Sequence, residues 1–226
     1  MQHTSPTPQP EAARRRSLGH RLGLKHGDAL LVVDMQRAFL PGGSLAVPGG
    51  DEVVEPINAY SAAFDARKLP IYLSRDWHPA GHCSFKDAGG IWPPHCVQGT
   101  EGAQWAHGLL VSPSARVISK ATDQSADAYS AFEATPLRDL LRTQHVDRVF
   151  VAGVATDYCV LATVLDARKH GLDIVVLLDA IRGVEREPGD ESRALQRMLE
   201  AGATLFERSR GPHTHAHPAV EPAKRP

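Results

Sequence analysis

The chain has 226 residues, 42% hydrophobic and 23% charged, with a formal net charge of −1. That is enough for one domain with a real core, and no basic stripe argues for a nucleic-acid partner. No apolar run is long enough to span a bilayer, and three cysteines are too few for a disulfide scaffold, so free thiols in a reducing compartment are expected.

The first stretch, "MQHTSPTPQPEAARRRSLGH", is polar, Pro-rich and basic. It has no apolar core of a secretory signal, which points to the cytoplasm. Residues 1–26 are read as a loosely attached tail, and residues 209–226 as a second one. His213, His215 and His217 in the second tail form at most a weak metal grip. The folded domain is expected over residues 27–208.

Six apolar runs then follow in chain order: Ala29–Asp34, Pro70–Asp76, Ala115–Lys120, Asp147–Gly153, Asp173–Ala180 and the weaker Ala203–Phe206. They are rich in Val and Ile without polar alternation, as strands buried on both faces of a parallel sheet require. Helical segments over Asp51–Arg67, Pro136–Gln144, Asp157–Lys169 and Asp190–Ala201 separate most of them. Gly171 supplies a stop just after the third. Alternating strands and helices predict a three-layer α/β/α domain with a mainly parallel six-stranded sheet. The segment from Trp77 to Pro113 breaks the rhythm, and a loop that long is usually functional.

Ligands of open α/β sheets gather beyond the carboxyl ends of the strands. Four reactive groups fall there: Asp34, Asp76, Lys120 and, past Gly153, Cys159. Singly, each has a bland reading as a cap, a solvated charge or a packed thiol. Together they point to one edge. A helix start at Cys159 predicts a lowered thiol pKa, with Lys120 favouring the thiolate.

The loop adds "SRDWHPAGHCSF" and "WPPHCVQGT". Asp76 and His78 share one side of an extended chain, and His82 and His95 lie within reach. One carboxylate with two or three imidazoles suits zinc, iron or manganese and leaves room for a ligand. Phe39 and Trp92, close in sequence to these groups, are candidates to sandwich a flat ring, or plain core.

These blocks, with "DMQRAF" and "VAGVATDYCV", resemble the signatures of the nicotinamidases (pyrazinamidases) among the isochorismatase-like cysteine hydrolases. The likeness covers roughly residues 28–208. It implies hydrolysis of nicotinamide to nicotinic acid and ammonia, a step of NAD salvage, with pyrazinamide as a further substrate. It implies a triad of Asp34, Lys120 and Cys159, and a divalent metal, zinc first, on Asp76, His78 and His95, which His82 joins in some members. It also implies ring contacts from Phe39, Trp92 and Tyr129. Backbone N–H groups of Ala155 and Cys159 would form an oxyanion hole beside a cis Val154–Ala155 peptide. Ala121 departs from the glycine that members often carry after the lysine. Two other readings stay open: a hydrolase of a different small amide on the same fold, and a catalytically silent binding protein. Homo-oligomerisation is left open too.

Overall fold

The computed structural model describes residues 9–208. Six strands form one sheet: β1 (Asp28–Val33), β2 (Ile71–Asp76), β3 (Arg116–Lys120), β4 (Arg148–Val154), β5 (Asp173–Arg182) and β6 (Thr204–Phe206). Their order is β3-β2-β1-β4-β5-β6 and every pairing is parallel. The expected strands thus stand within about two residues of their sequence-based bounds, a margin usual for element ends.

Because successive strand residues face opposite ways, the apolar runs feed two cores. Leu30, Val32, Phe150 and Ala152 pack against α2 (Val54–Asp65) through Ile57, Tyr60 and Phe64. Leu31, Val33, Val149 and Val151 face the other layer, α3 (Leu137–Thr143), α4 (Leu161–Lys169) and α5 (Asp190–Glu200). The result is the three-layer architecture. Pro56 is accommodated in the first turn of α2, where its missing N–H costs nothing.

One segment departs from expectation. Residues 1–26 read as a tail, yet α1 (Gln9–Arg21) is a helix and Leu18 and Leu22 are buried in the first core. Leu18 and Leu22, four residues apart, bring one side of this segment to the domain. The expected C-terminal tail and its three histidines lie outside the described residues. Among those residues no helix is long and apolar enough to cross a membrane.

The order reverses between β1 and β4, and the carboxyl ends of all six strands point one way. This is the crevice such sheets offer to ligands. There β4 comes very close to β1. Gly153 has φ 113°, and a Cβ on it would lie 2.0 Å from the Val33 carbonyl oxygen. Only glycine fits between these backbones. Gly153→Ala should therefore cost about 3 kcal/mol or more in urea unfolding, because neither strand can withdraw without breaking ladder bonds. Unchanged stability would show that the strands can part.

Candidate active site

Three neighbouring strands end in charged side chains. Asp34 follows β1, Asp76 ends β2 and Lys120 ends β3, and Asp76 and Lys120 are register partners. Lys120 is 1% exposed. Its Nζ lies 3.0 Å from Asp34 Oδ2, donates to Asp76 Oδ1 and to the Ala128 carbonyl at 3.1 Å, and is 3.6 Å from Cys159 Sγ. Burial works against this ammonium, but the Asp34 and Asp76 carboxylates outweigh it and hold its pKa well above the ordinary value.

Asp34 and Ala121, each the residue after a strand or its last lysine, both have φ 49°. This left-handed conformation turns the chain away from the sheet. Asp tolerates it better than most residues, and Ala121 adopts the conformation that glycine would take at less cost. The sequence departure at Ala121 therefore keeps the turn. Ser74, fully buried, donates to Asp34 Oδ1 at 2.7 Å. Asp34 Oδ2 is paired with Lys120 Nζ at 3.0 Å and has no other hydrogen-bond partner among the described residues, so it can still accept. Burial, followed by the Asp76 charge, raises the Asp34 pKa against the pull of Lys120.

Cys159 lies in a π-helical turn, Thr156–Val160, which leads into α4. Such turns are frequent at functional sites. The Val154–Ala155 peptide before it is cis, as the resemblance implies. The expected lowering of the thiol pKa is not what this environment produces. Burial pushes the Cys159 thiol well above its ordinary value, Asp34 and Asp76 push it further, and Lys120 alone among the nearby charges pulls it down. Ligand atoms of Cys159, Asp34 and Asp76 lie within 4.8 Å of one another.

The long segment doubles back on itself. His78 N–H donates to the Cys96 carbonyl at 3.1 Å, and Gln98 N–H donates to the His78 carbonyl at 2.9 Å. This pairing brings His95 to Asp76 and His78, and ligand atoms of the three lie within 4.8 Å of one another. His78 Nδ1 donates to the His95 carbonyl at 2.9 Å and His95 Nδ1 to the Pro93 carbonyl at 2.8 Å. A carbonyl only accepts, so both Nε2 atoms carry free lone pairs. Burial lowers the pKa of both imidazoles, that of His78 to about 4, so both are neutral at pH 7. Neutral imidazoles with fixed Nδ1–H groups and a carboxylate form a donor set that fits a divalent ion.

His82 is not brought into that set. Ser84 N–H donates to its Nδ1 at 3.3 Å, which makes Nδ1 an acceptor, and Nε2 then donates to the Ala126 carbonyl at 3.1 Å. His82 instead shares a second candidate group with His78 and Asp127, whose ligand atoms also lie within 4.8 Å of one another. Its ring packs on His78 at 4.3 Å.

Beside these groups is a pocket of about 540 Å³, mouth included, lined by Phe39, Trp92, Tyr129, Ala155, Tyr158 and Cys159 among others. The three expected aromatics all reach it. Phe39 meets His95 edge-on at 5.6 Å. Trp92 Nε1 donates to Tyr129 Oη at 2.8 Å, which fixes both rings. Tyr158 stacks on Tyr129 at 6.2 Å and was not singled out from the sequence, although it directly precedes Cys159. Ser74 was missed too; its two-residue spacing from Asp76 on one strand face was the available signal.

Residues 28–209 match the isochorismatase domain family. A nicotinamidase of Escherichia coli is 42% identical over 200 residues, covering 79% of this chain and 93% of that protein. A pyrazinamidase of Pyrococcus horikoshii, solved in complex with zinc, is 47% identical with a TM-score of 0.77, covering 80% of this chain and 99% of that one. PnC1 of L. infantum, solved with nicotinate, is 42% identical with a TM-score of 0.74, covering 80% and 93%.

Removing the central cation tests the charge arrangement. Lys120→Met leaves two buried carboxylates without their partner and should cost about 3–5 kcal/mol at neutral pH. Asp34, already pushed up by burial, then loses the cation that pulls its pKa down, so its folded pKa rises further above the unfolded one and its protonated form is favoured. The loss should therefore shrink as pH falls towards 5. Urea unfolding at both pH values reads this, and a pH-independent loss would contradict it.

Proposed function

The chain belongs to the isochorismatase family, and within it to the nicotinamidases, and from that premise we propose that it hydrolyses nicotinamide to nicotinic acid and ammonia through a thioester on Cys159. The observation that carries this reading is the placement of the Cys159 thiol beside a buried ammonium and an available carboxylate, on the wall of an aromatic pocket.

Cys159 Sγ attacks the carboxamide carbon as its proton passes to Asp34 Oδ2. The elevated pKa of Asp34 suits it to accept a proton and then to give it up. Lys120 holds the carboxylate in place and balances the charge that develops on sulfur. The backbone N–H groups of Ala155 and Cys159 are assigned to the tetrahedral oxyanion, where each such donor is typically worth about 3 kcal/mol. Asp34 next protonates the departing nitrogen, the C–N bond breaks, and ammonia leaves a thioester. Water adds to the thioester with Asp34 again as base, which releases nicotinic acid and restores the thiol.

Phe39 and Trp92 are assigned to the faces of the pyridine ring, and Tyr129 to the pocket wall. Asp76, His78 and His95 would hold one divalent ion, for which zinc is the first choice given the zinc-bound relative. Bound there, it would supply a Lewis-acid anchor for the ring nitrogen. His82 is assigned to support His78 instead of the metal. Pyrazinamide, with the same carboxamide on a similar flat ring, is expected to turn over as well.

Cys159→Ala should fold normally, bind nicotinamide and release no ammonia above the uncatalysed rate. Thermal unfolding together with an ammonia assay reads both properties. Retained turnover would overturn the assignment of the nucleophile.

A further inference from the structure

Gln36 is fully buried, two residues past Asp34, and nothing in the proposed chemistry requires it. Its side chain makes three hydrogen bonds. Asp76 N–H donates to Oε1 at 2.8 Å, while Nε2 donates to the Asp76 carbonyl at 2.8 Å and to the Ala103 carbonyl at 3.1 Å.

The strand geometry explains why these bonds are needed. β1 and β2 pair as far as Val32 and Leu73, and Asp34 N–H still reaches the Ser74 carbonyl at 3.2 Å. The next backbone groups of β2 on that side belong to Asp76, because the pattern repeats every two residues. By then β1 has turned away at Asp34. Asp76 would be left with a buried, unpaired N–H and C=O, a costly state. The Gln36 amide presents one acceptor and one donor in the places where a strand residue would have offered them. Its second Nε2 proton ties the turn at Glu101–Ala103 to the same point.

We propose that Gln36 is a positioning residue that fixes the Asp76 backbone, and through it the carboxylate shared by Lys120 and the histidine pair, so that it sets the affinity of the metal site. This rests on the assignment of Asp76, His78 and His95 as ligands. Asp76 must present Oδ1 to Lys120 and Oδ2 towards His95, whose Nε2 is 3.9 Å away. A carboxylate divided in this way has little freedom, and a small rotation of its backbone would spoil one side or the other.

Two variants test the proposal. Gln36→Met keeps the volume and removes every hydrogen bond. Gln36→Asn keeps the amide but is one methylene too short to close all three. Each purified protein is checked for folding by circular dichroism, and its zinc dissociation constant is measured by chelator competition. Folded variants should bind zinc about 10-fold or more weakly than the parent, as supporting groups around metal ligands typically do. Their ammonia release should recover when zinc is raised in proportion. A variant with a lowered melting temperature and a zinc dissociation constant within twofold of the parent would overturn the proposal and leave the ligand assignment standing. A parent that binds no zinc would overturn the ligand assignment and this proposal with it.

Discussion

A buried ammonium between two carboxylates is the constraint on which the rest of the site depends. Lys120 has no solvent to turn to, and its charge is tolerable only because Asp34 and Asp76 close on it from the neighbouring strands. With both carboxylates ionised the trio carries one excess negative charge. That excess adds to the burial that raises the thiol pKa on one side and favours a cation beside Asp76 on the other. Asp76 therefore belongs to both halves of the site. One oxygen serves the lysine and the other faces the imidazoles.

The sheet order makes this arrangement possible. β3, β2 and β1 are adjacent and parallel, so their last residues fall side by side at one edge. β4 lies next to β1 across the switch in strand order, and the close approach at Gly153 delivers the π-helical turn with Cys159 to the same place. The doubled-back loop adds His95 and Trp92, and backbone pairing at His78 sets its depth. The aromatic residues then line the pocket beside the thiol, and the low local dielectric strengthens the charge interactions buried beneath it.

Much of this was legible in the sequence, for physical reasons. Strands buried on both faces must be continuously apolar, so their bounds could be read from Val and Ile runs. Reactive residues at their ends are conspicuous because nothing in a core requires them. The misses share a different cause. The thiol pKa was expected to fall because helix position is local, whereas the burial that raises it is a tertiary property. The sequence does not show that His82 falls outside the Asp76–His78–His95 group and beside Asp127, because that grouping depends on how the long loop folds back. The helix α1 was hidden by its basic, Pro-rich setting, since Leu18 and Leu22 become meaningful only against a core to cover. Gln36 gave no signal because its partners lie 40 and 67 residues away.

In the proposed function one divalent ion and one thiol, joined through Asp76, Lys120 and Asp34, act together on nicotinamide. The most direct test is ammonia release from nicotinamide by the intact protein before chelation, after chelation and after metal is restored, with elemental analysis of each sample. The expected result is about one equivalent of divalent metal per chain in the active protein, turnover lost on chelation and recovered on reloading. Undiminished turnover by metal-free protein would contradict the account.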